Sequence, residues 1–295
     1  MSRLIAVAPD TRPEMHAAMC GAVDAAGGRL VDPQEAEGLV WADPSRPDLF
    51  PSVVEGADRL EWIQLPYAGI EPFAHHLDQR WTWTCGKGVY APAVAETVMA
   101  LALALSKNLH GYARADRWSK PVGRYLADAR VTILGGGGIA ECLLPLLAPF
   151  GCPTVVVRRH DRPVAGADRT ATADLLPELL PETDLLVLAL ALTAETRGIV
   201  DANTLDLLPD HALLVNVARG RHVVTDDLVA ALASGTIAGA ALDVFELEPL
   251  PAGSPLKDMD NVMLAPHNCN SSPRAWEKVH WSTVNQLLDA LKAAS

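Results

Sequence analysis

The run V-T-I-L-G-G-G-G-I-A, residues 131–140, constrains the fold of this chain more than any other stretch. Val131–Leu134 is short, apolar and rich in β-branched side chains, the pattern of a buried strand. Residues 139–150 (IAECLLPLLAPF) have the apolar density of the helix that follows. At the junction Gly135, Gly137 and Ala140 fill a G-x-G-x-x-A pattern. The first glycine allows the tight turn, the second lets backbone approach a pyrophosphate, and the small third residue lets helix and strand pack closely. A second strand at Thr154–Val157 completes a βαβ unit. Together these features predict a dinucleotide site, with the phosphates on the N–H groups and the positive pole of the helix N-terminus.

The end of that second strand selects the dinucleotide. A carboxylate about 20 residues past the first glycine would bind the ribose 2′-hydroxyl of NAD. The residues in that region are Arg158, Arg159 and His160. Guanidinium groups bind a 2′-phosphate with paired hydrogen bonds, whereas a carboxylate repels it. Arg158 and Arg159 therefore predict NADP(H) as the preferred cofactor, with NAD(H) as the alternative. The competing arrangement has both arginines in solvent and Asp161 or a backbone group on the ribose.

Composition sets the frame. A chain of 295 residues suits two domains, each able to bury a core. Hydrophobic residues at 49% and charged ones at 20% are globular proportions. A formal net charge of −12 argues against a nucleic-acid partner and leaves the attraction of an anionic substrate to local positive groups. Five cysteines without a C-x-x-C pair fit a reduced, cytoplasmic setting and no metal site. The N-terminal apolar run is too short for a signal peptide. No apolar stretch approaches the roughly 20 residues of a membrane span.

Strands and helices alternate along the chain. Strands are expected at 4–7, 38–41, 61–64 and 82–84, and helices at 15–26 and, long and buried, at 93–109. From Val131 further strands are expected at 154–157, 185–190, 212–217, 239–244 and 262–265, and a last helix at 273–293. Such alternation means parallel strands with helical crossovers. The expected fold is α/β: two doubly wound, Rossmann-like parallel-sheet domains with the active site in the cleft between them. Three strand ends carry further chemistry. L-L-V-N-V-A-R-G (213–220) places Arg219 just past a strand, A-L-D-V-F-E-L-E-P (241–249) brings Asp243, Glu246 and Glu248, and M-L-A-P-H-N (263–268) brings His267. Each alone reads equally as a surface arginine, a solvated acidic turn or a structural histidine. An arginine, a carboxylate and a histidine on consecutive strand ends form a set suited to proton transfer at a carbonyl.

Residues 131–140, 216–220, 243–249 and Pro266-His267, with further segments at 88–96 and 192–197, resemble the signatures of the D-isomer-specific 2-hydroxyacid dehydrogenase family over nearly the whole chain. The resemblance implies a substrate-binding domain of residues 1–100 completed by 271–295, a dinucleotide-binding domain of residues 101–270, and a homodimer. It also implies that Arg219, Glu248 and His267 are the catalytic set. In that scheme His267 donates a proton to the substrate oxygen, Glu248 orients the imidazole, and Arg219 polarises the carbonyl and holds the substrate carboxylate. The backbone N–H groups of Ala68 and Gly69 match the carboxylate-binding loop. Asp243 matches the residue that fixes the nicotinamide carboxamide, and Gly138, Ile139, Leu190, Val217 and Ala218 match cofactor contacts.

The chain departs from the family pattern in places. Gly138 stands where a basic residue is common, Ala191 replaces a usual proline, and Asn268-Cys269-Asn270 replaces a small apolar stretch. The arginines and Trp41 resemble the NADPH-linked glyoxylate/hydroxypyruvate reductase branch, though Trp41 reads equally as core packing; Tyr67 and Tyr90 are further candidates for lining the pocket. The expected activity is reduction of a small 2-keto acid such as glyoxylate or hydroxypyruvate. The alternatives are a phosphoglycerate dehydrogenase-like or bulkier 2-keto acid reductase and, from another class, an NAD(P)H-sensing scaffold without turnover.

Overall fold

The computed structural model describes residues 3–118, 120–160 and 162–269. The helix expected at 273–293, the segment 271–295 expected to complete the first domain, and Asp161 lie outside the described residues. The chain divides into two compact units, with the break in sequence between Tyr90 and Ala91.

The first unit runs β1 (Leu4–Ala8), α1 (Pro13–Ala25), β2 (Arg29–Leu30), β3 (Gly38–Trp41), α2 (Phe50–Val53), β4 (Trp62–Leu65) and β5 (Thr82–Cys85). Its five strands are all parallel in the order β2-β1-β3-β4-β5. Pro13 opens α1, where its missing N–H costs nothing. The chain then turns out of the helix through Gly27 in the left-handed region, φ 79°. Apolar residues cover both sheet faces: Ile5, Val40 and Trp62 with Met19 and Val23 of α1 on one, and Leu39, Trp41 and Ile63 with Phe50 and Phe73 on the other.

Trp41 resolves to core packing, which corrects the pocket-lining reading. It is 0% exposed, its ring centroid lies 5.5 Å from Phe50 and 5.6 Å from Phe73, and its indole N–H donates to the Asp43 carbonyl. Tyr67 and Tyr90 pack on each other at 5.2 Å, and the Tyr90 hydroxyl donates to the Pro66 carbonyl.

The second unit begins with α3 (Ala91–Ser106) and α4 (Leu109–Arg114). Asn108, left-handed at φ 53°, separates them, so the expected helix at 93–109 ends early. There follow β6 (Val131–Leu134), α5 (Gly138–Leu147), β7 (Thr154–Val157), β8 (Arg169–Ala171), α6 (Leu176–Leu179), β9 (Leu185–Leu188), α7 (Ala202–Asp206), β10 (Leu213–Asn216), α8 (Thr225–Ser234), β11 (Gly239–Leu242) and β12 (Val262–Leu264). All seven strands are parallel in the order β12-β11-β10-β9-β6-β7-β8. The winding reverses beside β6, between β7 and β9, and in such sheets the crevice at the carboxyl ends of the reversing strands takes the ligand. Ala95, Val98 and Ala102 of α3 and Leu143, Leu144 and Leu147 of α5 share one core with Ile133 and Val187. Among the described residues no helix is long and apolar enough to cross a membrane.

Candidate active site

At the β6–α5 junction the glycines serve two different needs. Gly135 sits at φ 113°, and a Cβ there would run into the Ala189 carbonyl just past β9. Only glycine satisfies both the backbone angle and that approach. Gly137, which caps α5, has nothing within 4 Å of its Cβ position. The first helical bond runs from the Glu141 N–H to the Gly137 carbonyl at 3.0 Å, so the N–H groups of Gly138 and Ile139 precede the ladder at the positive end of the helix. Ala140 is 0% exposed and packs in the same core as Ile133 and Val156. Open space in front of a ring of unladdered donors is what a diphosphate requires, and the residues fit one. Leu190, which follows Ala189, is half-buried beside this turn.

Arg158 leaves β7 across the same turn. A Cβ on Gly136 would lie 3.1 Å from the Arg158 Cδ, and the guanidinium donates to the Arg162 carbonyl at 3.4 Å. Arg159 is exposed. Its charge reaches the 193–197 loop: the Thr193 hydroxyl first, then its own backbone N–H and Arg159, hold the Glu195 carboxyl below its ordinary range.

The second cluster forms at the ends of β10, β11 and β12. Asn216 braces the turn after β10, its amide oxygen accepting from the Ala218 N–H at 3.1 Å and its NH2 donating to the Arg219 carbonyl at 3.1 Å. Val217 and Ala218 are buried, and Arg219 folds back so that its guanidinium donates to the Ala218 carbonyl at 2.7 Å. A Cβ on Gly220 would overlap the Phe245 backbone, so the β10 and β11 loops lie directly against each other. Glu248, on the β11 loop, accepts the Phe245 N–H on Oε1 at 2.9 Å and pairs through Oε2 with His267 Nδ1 at 2.7 Å. His267 lies just past β12 at φ 50°, and its N–H is held by the Asp243 carbonyl at 2.8 Å. An ionised carboxylate only accepts, so Nδ1 carries the hydrogen and Nε2 is the ring atom available for exchange. The Asp243 side chain is buried and holds the residues after His267.

The structure thus joins Glu248, His267 and Asp243 by direct hydrogen bonds and ties the Arg219 loop to theirs through Gly220. Ala68 and Gly69 lie in the first unit, after β4, with Ala68 exposed and Gly69 half-buried. Sequence reading missed the bracing by Asn216, the close approach at Gly220 and the part of Thr97, whose hydroxyl donates to the Cys269 carbonyl at 3.1 Å. A glycine directly after Arg219 was the available signal for the second; nothing local marks Thr97, 172 positions away from its partner.

Residues 99–269 match the NAD binding domain of D-isomer specific 2-hydroxyacid dehydrogenases. A relative from Corynebacterium melassecola, described as an uncharacterized protein in the proB 3′ region, is 38% identical over 89% of this chain and 88% of its own. Glyoxylate/hydroxypyruvate reductase A of Enterobacter sp. (strain 638) is 38% identical over 56% of this chain and 55% of its own, so the match spans about half of that protein. Among solved structures, a D-isomer specific 2-hydroxyacid dehydrogenase from Xanthobacter autotrophicus Py2 in complex with NADPH and MES is 27% identical, with a TM-score of 0.84 over 98% of this chain and 96% of its own. An NADPH-dependent glyoxylate/hydroxypyruvate reductase from Sinorhizobium meliloti, in complex with NADP and sulfate, is 26% identical with a TM-score of 0.84 over 99% and 96% of the two chains. The chain belongs to the D-isomer specific 2-hydroxyacid dehydrogenase family. It is an oxidoreductase of that family, and residues 99–269 form its NAD-binding domain.

Proposed function

We propose that this chain reduces a small 2-keto acid, of the glyoxylate or hydroxypyruvate kind, to the 2-hydroxy acid with NADPH. The observation that carries the reading is the Glu248–His267 pair at 2.7 Å, on adjacent strand ends of the unit that carries the glycine turn. When bound, the nicotinamide supplies the hydride. As hydride adds to the carbonyl carbon, negative charge develops on oxygen, and His267 Nε2 delivers the proton that quenches it. Glu248 holds the ring in the tautomer and orientation for that transfer. Arg219 polarises the carbonyl and binds the substrate carboxylate. The N–H groups of Ala68 and Gly69 bind the same carboxylate. Gly135, Gly137, Gly138 and Ile139 cradle the diphosphate, Arg158 and Arg159 bind the 2′-phosphate, and Leu190, Val217, Ala218 and Asp243 line the rest of the cofactor site. The relatives named as glyoxylate/hydroxypyruvate reductases support the choice of substrate, and the NADPH and NADP complexes of similar structures support the choice of cofactor.

The test is NADPH oxidation against 2-keto acids of increasing side-chain size, from glyoxylate through hydroxypyruvate and pyruvate to phenylpyruvate. The expected kcat/KM is highest at the small end and falls with bulk. A maximum at phenylpyruvate would replace the substrate assignment, and no turnover with any member would remove the enzymatic reading.

The proposed enzyme is a homodimer. At the start of α4 and between α4 and β6 the second unit exposes Leu109, Trp118, Val122 and Tyr125, with Trp118 wholly in solvent. Large apolar side chains left exposed along one stretch of chain fit an interface better than a free face. Trp118→Glu is expected to convert a dimer to a monomer in light scattering with little change in melting temperature. A wild type that is already monomeric would remove the assignment.

A further inference from the structure

Cys269 stands in the stretch after His267 that departs from the small apolar residues of the family, and it touches the Asp243 carboxylate. That carboxylate belongs to a residue only 1% exposed. One of its oxygens accepts the Asn268 N–H at 2.9 Å; the other accepts the Cys269 N–H at 3.4 Å and the Cys269 thiol. The thiol is the one side-chain donor among the three. Cys269 is also held from behind, where its carbonyl accepts the Thr97 hydroxyl of α3 at 3.1 Å. Burial first, then the hydrogen bond and charge of Asp243, push the Cys269 thiol well above its ordinary range, so it remains a protonated donor. A carboxylate has about four acceptor sites, and the three donors among the described residues leave one.

We propose that Cys269 is a positioning residue for the cofactor: its thiol fixes the Asp243 carboxylate so that the remaining acceptor site faces the carboxamide N–H of a bound nicotinamide. The inference rests on the reading of Asp243 as a cofactor contact. Its content is a directional hydrogen bond rather than filled volume. The loop's backbone donors to Asp243 do not depend on the side chain at 269, so truncating the thiol leaves one oxygen its 2.9 Å bond from the Asn268 N–H and the other only the long 3.4 Å bond from the Cys269 N–H, which loosens the carboxylate at that oxygen. Serine keeps a donor at that position, whereas alanine removes it.

The experiment compares wild type, Cys269→Ala and Cys269→Ser as full-length proteins, measuring NADPH Kd by titration, kcat and KM for NADPH, and melting temperature. Cys269→Ala is expected to raise the NADPH Kd and KM by roughly tenfold, the scale of one hydrogen bond to a charged group, with kcat within about threefold and melting temperature little changed. Cys269→Ser is expected to stay within about threefold of wild type throughout. A second readout is independent of turnover: peptide-mapped iodoacetamide labelling of Cys269 is expected to be about tenfold faster or more in Asp243→Asn, because the carboxylate no longer opposes ionisation of the thiol. The proposal is overturned if the alanine and serine variants bind NADPH equally well or equally badly, or if labelling is unchanged by Asp243→Asn. A wild type that binds neither NADPH nor NADH brings down the functional reading and this inference with it. A wild type that binds NADPH and is matched by Cys269→Ala brings down this inference alone.

Discussion

Replacing His267 with alanine is expected to lower kcat by roughly 10²–10⁴-fold, the usual cost of losing a general acid. NADPH affinity should hold, because the diphosphate cradle lies on the β6–α5 turn, and three strands separate β6 from β12 in the sheet. The left-handed backbone at His267, φ 50°, complicates the alanine variant, since histidine and asparagine enter that region more readily than alanine. His267→Asn is the cleaner probe: asparagine tolerates that region and has no side-chain acid near neutrality. Both variants should lose kcat to a similar extent, and only the alanine protein should also lose stability. Saturating kinetics with glyoxylate or hydroxypyruvate, read beside thermal melts, separate the two effects. A wild-type kcat in His267→Asn would exclude His267 as the proton donor.

The second large effect is expected at the cofactor. Each charge-assisted contact from Arg158 or Arg159 to a 2′-phosphate contributes about 1.5–3 kcal/mol, roughly 10–100-fold in affinity. Removing both with Arg158→Ala/Arg159→Ala is therefore expected to weaken NADPH by roughly 10²-fold or more. NADH lacks the phosphate and should bind as before. The fold should survive, because Arg158 is tied to β8 by its backbone N–H, which donates to the Ala171 carbonyl at 2.9 Å. The two arginines are not expected to contribute equally. Arg158 crosses the glycine turn, whereas Arg159 is exposed and shares its field with Glu195. A wild type that prefers NADH, or a double variant that loses both cofactors equally, would reverse the assignment of NADP(H).

Features carried by local chemistry were legible in the sequence. The glycine turn is such a case, because the strand, the turn and the helix that define it are contiguous. The ends of β10, β11 and β12 are another, since a run of buried aliphatic residues followed by Arg219, Glu248 or His267 marks where a ladder stops and a side chain emerges. Strand limits were less legible at their carboxyl ends. Residues 189–190 and 243–244 continue the apolar or extended pattern, but Ala189 leaves the ladder to lie against Gly135 and Asp243 turns its carboxylate onto the loop after β12. The edge strands β2 and β8, of two and three residues, are too short for a periodicity to register. Trp41 was ambiguous because every residue of β3 is buried, which removes the alternation that tells an inward face from an outward one. Non-local contacts, Gly220 on the Phe245 backbone and Thr97 on Cys269, leave no trace in spacing at all.

The Thr97–Cys269 hydrogen bond has an architectural consequence. Thr97 lies within two helical turns of Ala91, where the second unit begins, and Cys269 is next to Asn270, where it ends. The unit's entry and exit are thus clasped side by side, as in a cassette whose two leads leave through one port. A cassette of that kind can interrupt a host chain without stretching it, and domain insertions are tolerated where the inserted termini are close together. Residues 91–270 are accordingly the natural piece to excise or to exchange between relatives.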